Sequence, residues 1–173
     1  MLAVCNGMAR GGSTLQYNLV RSLLDATVGC VTHGYIAQSE GHNHFVPLDE
    51  LFGWATACEH HVVKIHNVHP DLRSLVQEGR TSVCYIYRDL RDVAVSRQVA
   101  FGEKGEILLA ALRESEGQYY ELRDLRAEFS DHFLWHRYED TTHDLVGAVD
   151  DAAKLLALAL PARRQLLFPF SDN

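Results

Sequence analysis

The sequence predicts an α/β fold, a central parallel sheet of about five strands with helices on both faces. Three observations predict it. Short apolar, β-rich runs alternate along the chain with segments whose apolar residues recur at helical spacing. The 173 residues are 47% hydrophobic and 23% charged, enough to bury a core in one domain, residues 1–173, with no repeat and no linker. The glycine-rich and charged motifs fall directly after the β-rich runs, where sheets of this class bind ligands.

The elements follow in order. Leu2–Asn6 reads as an apolar strand that runs into Gly7-Met-Ala-Arg-Gly-Gly-Ser-Thr14. Leu15, Leu19, Val20, Leu23 and Leu24 then make Ser13–Ala26 an amphipathic helix. Val28–Thr32 reads as a second strand, residues 33–46 as irregular, and Pro47–Cys58 as helical. His61–His66 is a β-rich strand, and Asp71–Gln77 a short helix ended by Gly79. Thr81–Tyr87 is the clearest strand. Asp89 caps a helix that runs to about Phe101, with Asp92 completing an acidic first turn. A long helix follows, with Leu108, Leu112, Ser115, Tyr119 and Leu122 on one stripe. His132–Tyr138 is the fifth strand, and Leu145–Leu160 the last amphipathic helix.

Charge and composition narrow the function. The net charge of −7 argues against general nucleic-acid binding, which needs a basic surface. A small anionic ligand is still open, because a site needs only a few cations. No run of 18 apolar residues marks a membrane span. The stretch Met1–Gly7 has neither the basic nor the apolar region of a signal peptide, and no CxxC occurs. The expectation is a cytoplasmic protein with reduced thiols at Cys5, Cys30, Cys58 and Cys84.

A glycine-rich turn between strand and helix lets backbone N–H groups converge, and the helix N-terminus adds partial positive charge. Gly7–Thr14 meets that description and is close to the phosphate-binding pattern GxxxxGK[ST]. Ser13 stands where that pattern has lysine, and the cation sits three positions earlier as Arg10. Nucleoside-triphosphate chemistry offsets a terminal phosphoryl of about two negative charges with that lysine and magnesium. A sulfuryl group carries one. One cation, two hydroxyls and backbone donors suit it without a metal. The plain alternative is a glycine turn with no ligand.

A second anion site follows the clearest strand, in Tyr87-Arg-Asp-Leu-Arg-Asp-Val-Ala-Val-Ser96. Arg88 stands at the strand's carboxyl end, and Ser96 lies about two turns into the next helix. An arginine fork with a hydroxyl suits a phosphate monoester. The alternative is a strand exit with ordinary charge pairs.

Together the two segments resemble the sulfotransferases that use 3′-phosphoadenosine 5′-phosphosulfate (PAPS). Arg10-Gly-Gly-Ser-Thr14 is similar to their 5′-phosphosulfate loop, [KR]-S-G-[TS]-[TS]. Arg88-Asp-Leu-Arg-Asp-Val-Ala-Val-Ser96 is similar to their 3′-phosphate motif, R-[DN]-P-[KR]-D-V-[AL]-V-S, with Leu90 in place of proline. The resemblance implies a P-loop-like three-layer fold. It implies PAPS as cosubstrate with no metal, and adenosine 3′,5′-bisphosphate (PAP) as product. Arg10, Gly11, Gly12, Ser13 and Thr14 would then hold the phosphosulfate, and Arg88 and Ser96 the 3′-phosphate.

Sulfation of a hydroxyl needs a base for the acceptor's proton, and histidine suits neutral pH. Lys64 and His66 are two residues apart, on one side of a strand end. They resemble the family's K-x-H element, which implies His66 as base and Lys64 as a partner of Arg10. His69 in the following turn and Glu40 are alternatives. Tyr138-Glu-Asp140 resembles the family's strand-end Y-E-D and reads as strand exit and helix cap. The family's C-terminal R-K-G does not occur, and Arg163-Arg164 is the late basic pair that would replace it. The tryptophan that many members carry near adenine is Leu15 here.

Ten histidines, with His42 and His44 as HxH and His60, His61, His66 and His69 in one region, raise a metal reading. No cysteine lies at zinc spacing from them, so solvated or acceptor-pocket histidines are the expectation. Tyr119-Tyr120 reads as core or as acceptor wall. The acceptor would be a small molecule or a glycan offering a hydroxyl, or less favourably an amine. Residues 33–58 and 99–125 would shape its pocket. A nucleotide-binding relative without turnover and a P-loop nucleotide kinase are the competing functions.

Overall fold

The structure is a computed structural model that describes residues 1–37 and 45–160. Its centre is a five-stranded sheet of β1 (Leu2–Gly7), β2 (Val31–Tyr35), β3 (His61–Ile65), β4 (Thr81–Tyr87) and β5 (Phe133–Arg137). The strand order is β2-β3-β1-β4-β5, and every pairing is parallel. Helices α1 (Ser13–Thr27), α2 (Leu48–Thr56), α3 (Leu72–Gln77), α4 (Leu90–Phe101), α5 (Gly105–Glu128), α6 (Tyr138–His143) and α7 (Leu145–Leu155) supply the crossovers and the outer layers.

Strand side chains alternate between two cores, as the pleat requires. Ala3, Cys5, Val62, Cys84 and Leu134 pack under α1 and α7, against Leu19, Val20, Leu23, Leu24, Val149 and Ala152. Leu2, Val4, Val63, Ile65, Val83, Tyr85 and Phe133 pack on the other face with Leu51, Leu72, Leu75, Val76, Leu122 and Leu125 of α2, α3 and α5. The predicted covering of both faces is therefore present. The four cysteines are free; Cys5 and Cys84 are buried cross-strand neighbours.

Four boundaries differ from the sequence-based reading by more than the fraying of an element's end. The second strand starts at Val31 rather than Val28. Gly29, at φ 77°, ends α1, and both Val28 and Gly29 donate their backbone N–H to Leu24 O. Val28 thus caps a helix instead of opening a strand. The strand runs on to Tyr35 through an irregularity between Thr32 and Gly34. After β5 the chain turns at once into α6, so Tyr138 opens a helix. Asp144 then caps α7 by accepting from Gly147 N–H, and α7 ends at Leu155 instead of Leu160. Asp89 caps α4 as expected, accepting from Arg91 N–H.

Because all strands are parallel, Gly7, Ile65, Tyr87 and Arg137 leave the sheet along one edge. β1 is paired with β3 and β4, its Asn6 beside Ile65 and its Gly7 beside Ile86. The turns after β1, β3 and β4 therefore emerge side by side.

Leu23, on the inner face of α1, is fully buried. Leu23→Ala is expected to lower unfolding stability by about 2–5 kcal/mol, from lost transfer energy plus the cavity it leaves. Urea denaturation checks this.

Candidate functional site

The turn after β1 is shaped by close packing. A Cβ on Gly7 would lie 2.7 Å from Ile86 Cγ2, and a Cβ on Gly12 would collide with the Tyr138 ring. Arg10 at φ 67° and Gly12 at φ 100° curl the backbone, and Gly11 N–H donates to Met8 O at 2.7 Å. Gly12 is the N-cap of α1 and offers no side-chain acceptor to the first helical turn. The amides of that turn therefore face the carboxyl edge of the sheet, where a helix of 15 residues adds positive potential.

A cleft of about 360 Å³ opens over this turn. Arg10, Gly12, Ser13, Thr14, Lys64, His66, Arg88 and Ser96 all line it. Eight of the nine residues proposed from the sequence thus meet in one place. Gly11 stands behind them as part of the turn.

Hydrogen bonds join the segments. Arg10 Nε donates to Ser96 Oγ at 3.1 Å, linking the β1 turn to α4. Lys64 Nζ donates to Thr14 Oγ1 at 2.9 Å. Lys64 thus binds the loop hydroxyl and lines the same cleft as Arg10. Arg88 stands on the Tyr138 ring, its guanidinium carbon 4.6 Å from the ring centroid. Its Nε lies 3.7 Å from Glu139 Oε1 and 3.8 Å from Asp92 Oδ2.

His66 follows β3, and its Nδ1 lies 3.1 Å from Gly7 O. A carbonyl only accepts, so Nδ1 carries the proton and donates, leaving Nε2 as the basic nitrogen. Burial pulls its proton affinity below the ordinary histidine range, and the Lys64 and Arg97 charges act the same way. The Gly7 carbonyl opposes them. The imidazole is therefore neutral at pH 7. The Tyr35 ring stands 5.4 Å from it.

His69 is placed differently. It is buried, its Nε2 lies 3.3 Å from Val46 O, and its Nδ1 accepts from Asp71 N–H at 3.2 Å. Both ring nitrogens hold backbone, and the side chain does not line the cleft. Glu40, His42, His44 and Arg163-Arg164 lie outside the described residues. The crowd of histidines in the sequence is split by β3. His61 opens the strand, hydrogen-bonded to His33 at 2.8 Å and stacked with Trp54. His66 lies at its far end, roughly 16 Å away at strand rise. Among the described residues, no group of three or more His, Cys, Asp or Glu side chains is arranged to hold a metal ion. Tyr119 packs with Tyr85, Tyr87 and Trp135 and lines core.

Phe101 and Tyr138 also line the cleft. Phe101 falls in the span 99–125 expected to shape the acceptor pocket, although it was not singled out. Tyr138, read only as a strand exit, had a usable signal, since it directly follows a strand and so must stand at the same edge as Arg88.

No protein-family model matches the chain, and neither does any curated protein. Solved structures do. The mouse sulfotransferase SULT7A1 complexed with PAP superposes with a TM-score of 0.65 at 13% identity, over 94% of this chain and 59% of that one. Retinol dehydratase in complex with androsterone and the inactive cofactor PAP gives 0.60 at 17% identity, over 92% of this chain and 60% of its own. A sulfotransferase from Alicyclobacillus acidocaldarius gives 0.60 at 11% identity, over 95% and 87%. The chain spans about three fifths of the length of the first two.

Burial holds His33, His60, His61, His66, His69 and His136 below the ordinary histidine range. Their folded-state affinity for protons is lower than in the unfolded chain. Their contribution to stability is thus complete above the unfolded value of about 6.5 and lost as the pH falls below it. The urea midpoint is expected to fall between about pH 7 and pH 5; a midpoint that holds or rises contradicts the burial of these rings. In its sheet order, crossovers and glycine turn, the chain has the P-loop-like α/β fold of the sulfotransferases.

Proposed function

We propose that this chain transfers the sulfuryl group of PAPS to an acceptor hydroxyl, releasing PAP. One observation carries the reading. Arg10 and Arg88 arise from turns 78 positions apart in the sequence, yet both line a single cleft, which Ser96, bonded to Arg10, also lines. A nucleotide bearing an anion at each end matches that arrangement. The phosphosulfate end would take Arg10, Gly12, Ser13, Thr14 and the first amides of α1. The 3′-phosphate end would take Arg88 and Ser96.

The chemistry is an in-line displacement at sulfur. The acceptor oxygen forms the new S–O bond as the bond between sulfur and the bridging phosphate oxygen breaks. His66 Nε2 takes the acceptor proton, and PAP leaves with the electron pair of the broken bond. Arg10, Lys64 and the loop N–H groups would face the oxygen on which charge builds, donors held in place before that charge develops. The acceptor, a small molecule or a glycan terminus, would bring its hydroxyl to the His66 side of the cleft, where the Tyr35 ring stands 5.4 Å from the imidazole.

Calorimetry tests the nucleotide. PAP is expected to bind without magnesium and more tightly than ATP. Preferential, magnesium-dependent binding of ATP would favour a nucleotide kinase instead. Arg88→Ala is expected to weaken PAP by about tenfold to a hundredfold, the range for losing a charged hydrogen-bonding partner, while adenosine 5′-monophosphate changes little. Equal losses for the two nucleotides would remove Arg88 from the 3′-phosphate.

His66→Ala is expected to slow sulfuryl transfer by about 10²–10⁴-fold with PAP affinity retained. An unchanged rate would remove His66 as the base. PAP binding with no transfer to any acceptor would identify a binding protein.

A further inference from the structure

β1 reads Leu-Ala-Val-Cys-Asn-Gly, and Asn6 is its polar exception. Its side chain falls on the same face as Leu2 and Val4, which belong to the core shared with α2, α3 and α5. Register sets it between Ile65 of β3 and Tyr85 of β4, both 1% exposed, and Asn6 itself is 0% exposed. An apolar side chain would suit that place. An amide there loses its hydration, and among the described residues its Oδ1 has no hydrogen-bond partner. Packing therefore does not account for the residue. The bond made by its Nδ2 does.

Asn6 Nδ2 donates to Asn67 O at 3.3 Å. Asn67 directly follows His66, whose own Nδ1 donates to Gly7 O at 3.1 Å. Two bonds thus cross between the end of β1 and the turn after β3, in opposite directions and one residue apart on each side. The first fixes the backbone that follows His66. The second uses that fixed backbone to keep the Nδ1 proton on the Gly7 carbonyl. Asn67 Nδ2 also donates to Glu114 Oε1 at 2.7 Å, so α5 braces the same turn. A turn free to rotate would carry Nδ1 away from Gly7 O and let the proton settle on either nitrogen.

We propose that Asn6 is a positioning residue for His66: it anchors the turn after β3 so that the imidazole keeps its proton on Nδ1 and leaves Nε2 bare. Its consequence for turnover rests on His66 acting as the base; its effect on the ring does not. A base must be bare at the nitrogen that meets the acceptor proton, so a ring that spends part of its time in the other tautomer is idle for that part.

The test is ¹⁵N NMR of the histidine rings at neutral pH in the ligand-free protein, for wild type, Asn6→Ala and Leu23→Ala. In wild type, His66 Nδ1 is expected to read as the protonated nitrogen and Nε2 as the bare one. Asn6→Ala removes the donor to Asn67, so its two His66 resonances are expected to move towards each other as the tautomers exchange. Its kcat is expected to fall by up to about 10²-fold, the scale for a misplaced catalytic group, with PAP affinity unchanged. Leu23 lies in the other core, so Leu23→Ala loosens the protein without touching these bonds and should leave the His66 tautomer as in wild type. Unmoved His66 resonances in Asn6→Ala, or a wild-type ring protonated at Nε2, overturn the proposal. So does the same movement in Leu23→Ala, since the ring would then report general loosening. If Asn6→Ala does not fold, Asn6→Val, which refills the space with a side chain suited to a strand, decides by the same reading. Failure of wild type to bind PAP would sink the proposed function and leave the ring reading standing. PAP binding with an unmoved His66 in Asn6→Ala would sink this proposal alone.

Discussion

The parallel pairing of β1 with β4 is the constraint on which the rest depends. Register puts Gly7 beside Ile86, so the turn carrying Arg10 and the exit carrying Arg88 emerge next to each other. Pairing β1 with β3 on its other side brings Lys64 and His66 to the same edge. Neither contact is local in sequence. The sheet converts three separated segments into one wall of donors, and the two apolar cores keep that sheet rigid.

The glycines serve the same end. Room at Gly7 lets α1 start hard against β4, and Gly12 yields its space to Tyr138, on which Arg88 rests. The net charge of −7 does not oppose an anionic ligand here, because Arg10, Lys64 and Arg88 converge on one cleft. Local potential, not the total, governs what the cleft attracts.

Much of this was legible in the residues. β4 is buried on both faces and reads as an unbroken β-rich run, so its limits match. The edge strand β2 is largely exposed and broken by Gly34, which left its register to tertiary pairing and its start three residues out. Arg10, Lys64, His66 and Arg88 were visible because each lies at or just beyond a strand end, and Ser96 because it closes the motif that Arg88 opens. What each side chain bonds was not visible. The Lys64–Thr14 and Arg10–Ser96 contacts depend on distances that spacing does not encode. Nor does sequence proximity separate His61 from His66, since a strand carries its two ends to opposite edges of the molecule.

The central claim is that one nucleotide is gripped at both of its anionic ends. A ³¹P NMR titration with PAP tests it most directly, because its two phosphorus atoms report on the two ends independently. Both resonances are expected to move together and to saturate at one protein concentration. Movement of a single resonance, or two separate saturation curves, would contradict the claim.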